Sequence, residues 1–232
     1  RVERLLQMRD VGVLARGAKK TGSRHSAAAQ RFTFGEYVFF RAGGLGTLNS
    51  ADIIASHHRL REDLYLAAVA AYLAEMTDRL TADGEAAPRL YRQLLSALDA
   101  LEDGKDPQII THIYEMNMLA HAGYMPSLHD CAGCGGTPDF AFSNTLGGLV
   151  CTPCSGKAGD AVQIGEPAAK LLRLFASVDL RRIGRIGVKA ETKDVLRNVM
   201  RGWMDRHVDI RFRSRQVLEQ LEKAGFDEGG RA

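Results

Sequence analysis

The chain has 232 residues, 45% of them hydrophobic and 25% charged, with a formal net charge of +3. It exceeds the usual single domain of about 100 to 200 residues and is long enough to bury a core. No apolar run approaches the roughly 18 to 20 residues of a membrane span, which excludes a transmembrane helix. Arg1 to Asp10 carry neither an apolar signal core nor a small-residue cleavage site, and no initiator methionine precedes them. The expectation is a cytoplasmic chain truncated at its start.

The charge is segregated. Residues 1–55 hold nine Lys or Arg against four acids, residues 56–130 hold six against twelve, and residues 161–232 hold fifteen against ten. Two basic ends around an acidic middle suit a polyanion partner, although a merely solvated basic surface gives the same count.

In chain order, Val11 to Ala15, Phe32 to Phe40 and Leu48 to Ser56 are β-rich runs separated by Gly-, Ser- and Lys-rich turns, the pattern of a small antiparallel barrel or sheet. From Leu60 the period becomes helical, with Leu64, Ala67, Ala71, Ala74 and Leu80 at three- and four-residue spacing, so one helix of about 20 residues is expected. A second helix starts near Pro88, and a third runs from about Pro107 to a cap at Gly123. Helices resume at Glu166 to Val178, Glu191 to Val208 and Ser214 to Ala224. The expected architecture is α+β and multidomain. An N-terminal OB-fold-like β-barrel (1–56) precedes a helical domain (57–128 and 161–232), which carries an inserted four-cysteine zinc ribbon (129–160).

All four cysteines lie in CAGCGGTPDFAFSNTLGGLVCTPC, residues 131–154. Two Cys-x-x-Cys pairs, Cys131 with Cys134 and Cys151 with Cys154, have the spacing of a four-cysteine zinc site. Each pair occupies a tight Gly- or Pro-bearing turn, so four thiolates can close a tetrahedron with Zn–S distances of about 2.3 Å and leave no position for water. Phe140, Phe142, Leu146 and Leu149, with Gly147 and Gly148, read as a small hairpin packing on that site. Two disulfides and unmetallated thiols are the alternatives; disulfides belong to oxidising compartments. A catalytic zinc would need the His-x-Glu of a deaminase or the His-Glu-x-x-His of a zincin, and neither occurs. His129 reads as a surface loop residue. No Walker loop is present, because the glycine it needs precedes neither Gly104-Lys105 nor Gly156-Lys157.

The stretch VLARGAKKTGSRHSAAAQRFTFGEYVFF sets Arg16, Lys19, Lys20, Arg24 and Arg31, with no acid among them, before a strand bearing Phe32, Phe34, Tyr37 and Phe39. Cations that track phosphates beside rings on which bases stack, at about 1 to 3 kcal/mol per base, are how OB-type barrels hold single strands. The alternative is a solvated hairpin loop whose aromatics are core.

With these residues together, the chain resembles the RecO family of bacterial DNA repair proteins. The resemblance rests on ARGAKK (Ala15 to Lys20), FTFGEYVF (Phe32 to Phe39), YLAEMTDRL (Tyr72 to Leu80), AGYMPSLHDCAGCG (Ala122 to Gly135), GGLVCTPC (Gly147 to Cys154) and RSRQVLEQL (Arg213 to Leu221), in that order over nearly the whole chain. It implies an OB-fold, a helical domain and a zinc module. It further implies a non-enzymatic, nucleoid-associated recombination mediator that binds single- and double-stranded DNA and anneals complementary strands. With RecR, such a mediator loads RecA onto DNA coated by single-stranded-DNA-binding protein. One departure stands out: the family opens with two strands before the ARGAKK segment, whereas here only RVERLLQMRD precedes Val11. By resemblance, Arg16, Lys19, Lys20 and Arg24 match the DNA-contacting loop, and the four cysteines match a zinc site that holds the fold and takes no part in chemistry. The runner-up reading is a zinc-containing RNA-binding factor or a zinc-dependent enzyme.

A second basic region spans residues 181–215, with eleven Lys or Arg against four acids. It includes Arg181, Arg182, Arg185, Arg197, Arg201, Arg211, Arg213 and Arg215, with Arg197 and Arg201 one turn apart beside Trp203. It reads as a solvated face, a second DNA contact, or a dock for the acidic tail of single-stranded-DNA-binding protein.

Overall fold

The computed structural model describes residues 12–20, 22–41, 44–81, 88–184 and 186–226. Residues 1–10, Val11 at the head of the first expected strand, and Arg185, on which expectations fall, lie outside the described residues. In chain order the elements are β1 (Val13–Leu14), β2 (Phe34–Phe40), β3 (Gly46–Ala55), α1 (Arg59–Glu62), α2 (Leu64–Leu80), α3 (Pro88–Glu102) and α4 (Pro107–Ala122). Then come β4 (Ala141–Ser143), β5 (Gly148–Val150), α5 (Thr152–Ser155), β6 (Val162–Gln163), α6 (Gly165–Ser177), α7 (Ala190–His207) and α8 (Arg213–Lys223). They form two units, Arg1–Lys105 with Phe212–Ala232, and Asp106–Arg211.

In the first unit, β3 is the central strand of a three-stranded sheet in the order β1-β3-β2. β2 runs antiparallel to it, with Tyr37 opposite Ala51 and irregularities after Phe34 and Val38, while β1 pairs in parallel, Val13 with Gly46. Among the described residues no pairing closes this sheet into a barrel. The second strand starts later than its sequence run suggests: Phe32 has φ 63°, a left-handed backbone that ends the preceding turns and keeps it out of the ladder.

The single helix expected from Leu60 is two. Asp63 has an extended backbone, and its side chain accepts the N–H of Leu66 at 2.9 Å, so it caps a new helix inside the apolar run. An Asp that bonds the backbone ahead of it interrupts a helix without Gly or Pro. Beyond it, α2 buries Val69, Tyr72, Leu73 and Met76, each such side chain contributing about 1.5 to 3 kcal/mol. Tyr72 meets the ring of Phe212 edge-on, with centroids 5.8 Å apart. The last helix returns to α2 through Glu75, which accepts the N–H groups of Arg213 (3.0 Å) and Ser214 (2.8 Å) and the Ser214 hydroxyl, capping α8 from a distant segment.

In the second unit α4 is the central helix. Asp106 accepts from the N–H groups of Gln108 (3.1 Å) and Ile109 (3.3 Å), Pro107 fills the first turn, and Gly123 ends the helix at φ 78°. Buried Ile109, Ile113, Tyr114 and Met116 belong to it, with Leu172 and Phe175 of α6 and Met200 and Trp203 of α7 in the same core. No helix among the described residues is long and apolar enough to cross a membrane.

Candidate metal centre and basic surface

The cysteine module is a sheet of order β5-β4-β6, with β4 antiparallel to both neighbours. The hairpin turn returns through Gly147, at φ 99°, whose N–H donates to Ser143 O at 3.0 Å. Ala141 pairs with Val150, and Phe142 with Leu149. Because side chains alternate across a strand, the two pairs face opposite ways. Ala141 and Val150 pack with Cys131, and Leu146 and Ala161 join them. Phe142 instead meets Trp203 edge-on at 5.7 Å. The expectation that Phe140, Phe142, Leu146 and Leu149 pack on the thiols is therefore corrected in part: Leu146 packs there with Ala141 and Val150, whereas Phe142 turns to Trp203. Phe140 is exposed.

The four sulfurs converge. Their Sγ atoms all lie within 4.8 Å of one another, with Cys131 to Cys151 at 3.6 Å and Cys134 to Cys151 at 3.7 Å. Sulfurs on a tetrahedron of radius about 2.3 Å are about 3.8 Å apart, whereas a disulfide needs about 2.05 Å. All four are free thiols. The spacing is that of ligands around one ion. Gly133 supplies the space: a Cβ there would lie 2.9 Å from Cys154 Sγ and 3.1 Å from Cys154 Cβ.

Electrostatics point the same way. The backbone N–H of Cys151 donates to Cys131 Sγ at 3.2 Å and, as the largest influence, brings that thiol down to about 6. Cys154 is pushed up to about 12, first by its hydrogen bond with Cys151, then by burial and the neighbouring sulfurs. Without a cation the cluster resists a second negative charge; a bound divalent ion lets all four thiols ionise. Around the cluster, Asp139 accepts from Thr152 N at 2.7 Å and Thr152 Oγ1 at 2.6 Å, fixing the start of the second knuckle. Those bonds, the hydroxyl first, hold its carboxyl below the usual range. Asp160 accepts from Ser143 Oγ at 2.6 Å and Thr145 N at 2.8 Å and braces the hairpin turn. Sequence reasoning missed both acids, since single Asp residues in turns carry no ligand pattern. His129 is exposed and not part of the cluster.

The basic loop, at its described residues 15–20 and 22–33, is a chain of turns. Lys20 N donates to Gly17 O (2.9 Å), Ser23 N to Lys20 O (3.1 Å) and Ser26 N to Ser23 O (3.0 Å). Arg16, Lys19, Lys20, Arg24 and Arg31 are all exposed, and among the described residues no carboxylate pairs with any of them. Arg24 donates to His25 Nε2 at 3.1 Å. Tyr37 anchors the loop, its one hydroxyl proton shared between Ala28 O (3.1 Å) and Thr33 O (3.2 Å), and burial pushes its phenol up. Phe34 faces Tyr91 of α3 at 6.1 Å, and Phe39 lies over Gly46. The most exposed ring of β2 is Phe40, at 69%, which sequence reasoning left out; its alternation against Phe39 was the available signal.

The second basic region is more paired. Arg181 Nε donates to both carboxylate oxygens of Asp179, at 3.0 and 2.9 Å, and this carboxylate pushes the guanidinium up. Arg197 bonds Asp194 at 3.0 Å and Gln108 Oε1 at 3.1 Å. Arg215 pairs with Glu219 at 3.1 Å. Arg182 is exposed and Arg201 half-buried. Arg213 and Arg215 belong to the first unit, whereas Arg181, Arg182, Arg197, Arg201 and Arg211 belong to the second. Trp203 is core: it donates to Tyr124 O at 2.9 Å and stacks on His207 at 3.8 Å.

Fold and site together define an α+β protein with a metal-competent four-thiol centre and a solvent-facing cationic loop beside its first sheet. Comparison with known proteins gives the family. The profile described as Recombination protein O C terminal matches residues 61–216, and the one described as Recombination protein O N terminal matches residues 10–57. The DNA repair protein RecO of Exiguobacterium sibiricum is 41% identical over 218 residues, 94% of this chain and 88% of that protein. Its namesake in Listeria monocytogenes serotype 4a is 39% identical over 214 residues, covering 92% and 84%. That of Halalkalibacterium halodurans is 37% identical over 217 residues, covering 93% and 85%. The chain belongs to the RecO family.

Proposed function

We propose that this protein is a DNA-binding recombination mediator of DNA repair and not an enzyme. It anneals complementary strands and, with RecR, promotes RecA loading onto single-stranded DNA coated by its binding protein. The observation that carries the reading is the basic loop: five exposed cations with no carboxylate partner among the described residues, on a loop that Tyr37 of β2 holds through its hydroxyl. Exposed Lys and Arg side chains that reach solvent can contact phosphates of a polyanion. The exposed Phe40 ring of the same sheet would give unpaired bases a stacking surface, which suits single strands. Residues 1–56 are the DNA-binding domain, with an OB-fold-like barrel. Residues 57–128 and 161–232 are the helical domain, and 129–160 the metal module. Further basic residues, Arg181, Arg182, Arg197, Arg201 and Arg211 of the second unit and, separately, Arg213 and Arg215 of the first, are candidates for a second contact, with DNA or the acidic tail of single-stranded-DNA-binding protein.

Cys131, Cys134, Cys151 and Cys154 hold one zinc ion. With four protein sulfurs the ion has no open position, so it supplies folding energy and no reaction. Zinc suits an all-thiolate tetrahedron better than harder cations do. The test is annealing of complementary oligonucleotides by the purified protein with no nucleotide and no added metal. Faster annealing than the spontaneous rate is expected; no acceleration, together with hydrolytic or deaminating turnover, overturns the reading.

A further inference from the structure

Phe32 and His57 are the two non-glycine residues with left-handed backbone among the described residues, at φ 63° and 43°. They touch. His57 Nδ1 lies 2.7 Å from the carbonyl oxygen of Phe32, the residue that closes the basic loop just before β2. Strained backbone persists only where its surroundings over-determine it. Here the surroundings include α3, because His57 Nε2 lies 2.9 Å from Asp99 Oδ1. The histidine ring is buried and Asp99 is half exposed. Arg61 of α1 adds a second tie. Its guanidinium donates to the carbonyls of Arg31, at 2.9 Å, and Ser56, and reaches that of His57 at 3.4 Å. The other charged groups at this junction are Arg59, His58 and Glu102: His58 lies 3.5 Å from the Glu102 carboxylate, and Arg59 donates to the Glu102 carbonyl at 2.6 Å.

A carbonyl and a carboxylate only accept hydrogen bonds. An imidazole with one proton can donate to one of them, leaving its other nitrogen's lone pair against an oxygen. Both contacts are hydrogen bonds only when the ring carries two protons.

We propose that His57 is the positioning residue of the basic loop: charged, it ties the loop's closing carbonyl to Asp99 of α3, and on losing a proton it gives up one of the two. The clamp stands on this geometry; its consequence for DNA rests on the loop reading above.

The clamp is tested without DNA, by hydrogen exchange at the loop amides of Lys20, Ser23 and Ser26, expressed as protection factors from about pH 6 to about pH 9, the range that brackets histidine titration. Wild-type protection should fall severalfold as pH rises. Asp99→Asn should flatten the profile, because the amide can donate to the neutral ring's Nε2 while Nδ1–H keeps Phe32. His58→Gln should retain the wild-type profile. A flat wild-type profile, one that Asp99→Asn leaves unchanged, or one that follows His58 overturns the proposal. Affinity for single-stranded DNA, measured in parallel, should follow the same profile. Protection that falls while affinity holds overturns the loop's part in DNA binding and leaves the clamp standing.

Discussion

Replacing Gly133 by alanine puts a methyl group where the metal cluster has no room. The new Cβ would sit 2.9 Å from Cys154 Sγ. Carbon and heavy-atom neighbours prefer about 3.5 to 4.0 Å, so the sulfur must retreat by about 0.6 Å or more. It has little freedom to do so, since Cys154 Cβ is itself 3.1 Å from the same position. Ligand distances in a working site hold to about 0.2 Å, so the displacement exceeds what the coordination sphere tolerates. A loss of metal affinity of about 10- to 100-fold is expected, the range seen when groups that orient ligands are changed. Gly136→Ala is the matched control: its Cβ would lie 3.5 Å from Cys134 Sγ, an ordinary contact, and neither glycine has a left-handed backbone. The assay is competition for zinc against a chromophoric chelator, with circular dichroism to follow the fold. Equal affinity in Gly133→Ala and wild type, or equal losses in the two variants, refutes the placement of Cys154 as a ligand packed against Gly133.

Replacing Lys19 and Lys20 with Ala should lower the slope of log K against log salt on single strands by about 1.4, at about 0.7 per phosphate contact. A salt titration showing an unchanged slope in the folded double variant would move the DNA site to the region from Arg181 to Arg215. The Glu75 carboxyl is held below the usual range: burial raises it, but the hydrogen bonds from Ser214 and Arg213 and the charge of Arg79 outweigh that. Its contribution to stability is therefore present above the ordinary carboxylate range and lost as pH falls through its lower folded value, and Glu75→Gln should reduce the acid sensitivity of denaturant midpoints. Asp63→Ala should cost about 1 kcal/mol, the usual loss for an N-cap, in urea unfolding.

The cysteine pairs were legible in the sequence because both knuckles are local turns and the ligand set spans only 24 residues. The starts of α3 and α4 and the end of α4 were equally plain, since Pro88, Pro107 and Gly123 act on backbone within one turn of themselves. The basic loop was visible as unbroken positive charge. What escaped depends on contacts between distant segments. The break at Asp63 needed its side chain to be seen folding forward onto Leu66, where periodicity alone ran straight through. β6 is two residues long, too short for any pattern, and exists because β4 offers it an edge. The hairpin was legible, but only the ring of Trp203, some sixty residues later, decided that Phe142 turns away from the thiols and Ala141 toward them. The cap from Glu75 to Ser214 and the clamp from Phe32 through His57 to Asp99 belong to the same class. The sequence by itself determined which segments fold locally and which chemistry they carry, because those terms act between neighbours along the chain. Tertiary structure alone decided which face of each element is inside and which polar groups are paired, because those depend on partners that only folding brings within a few ångströms.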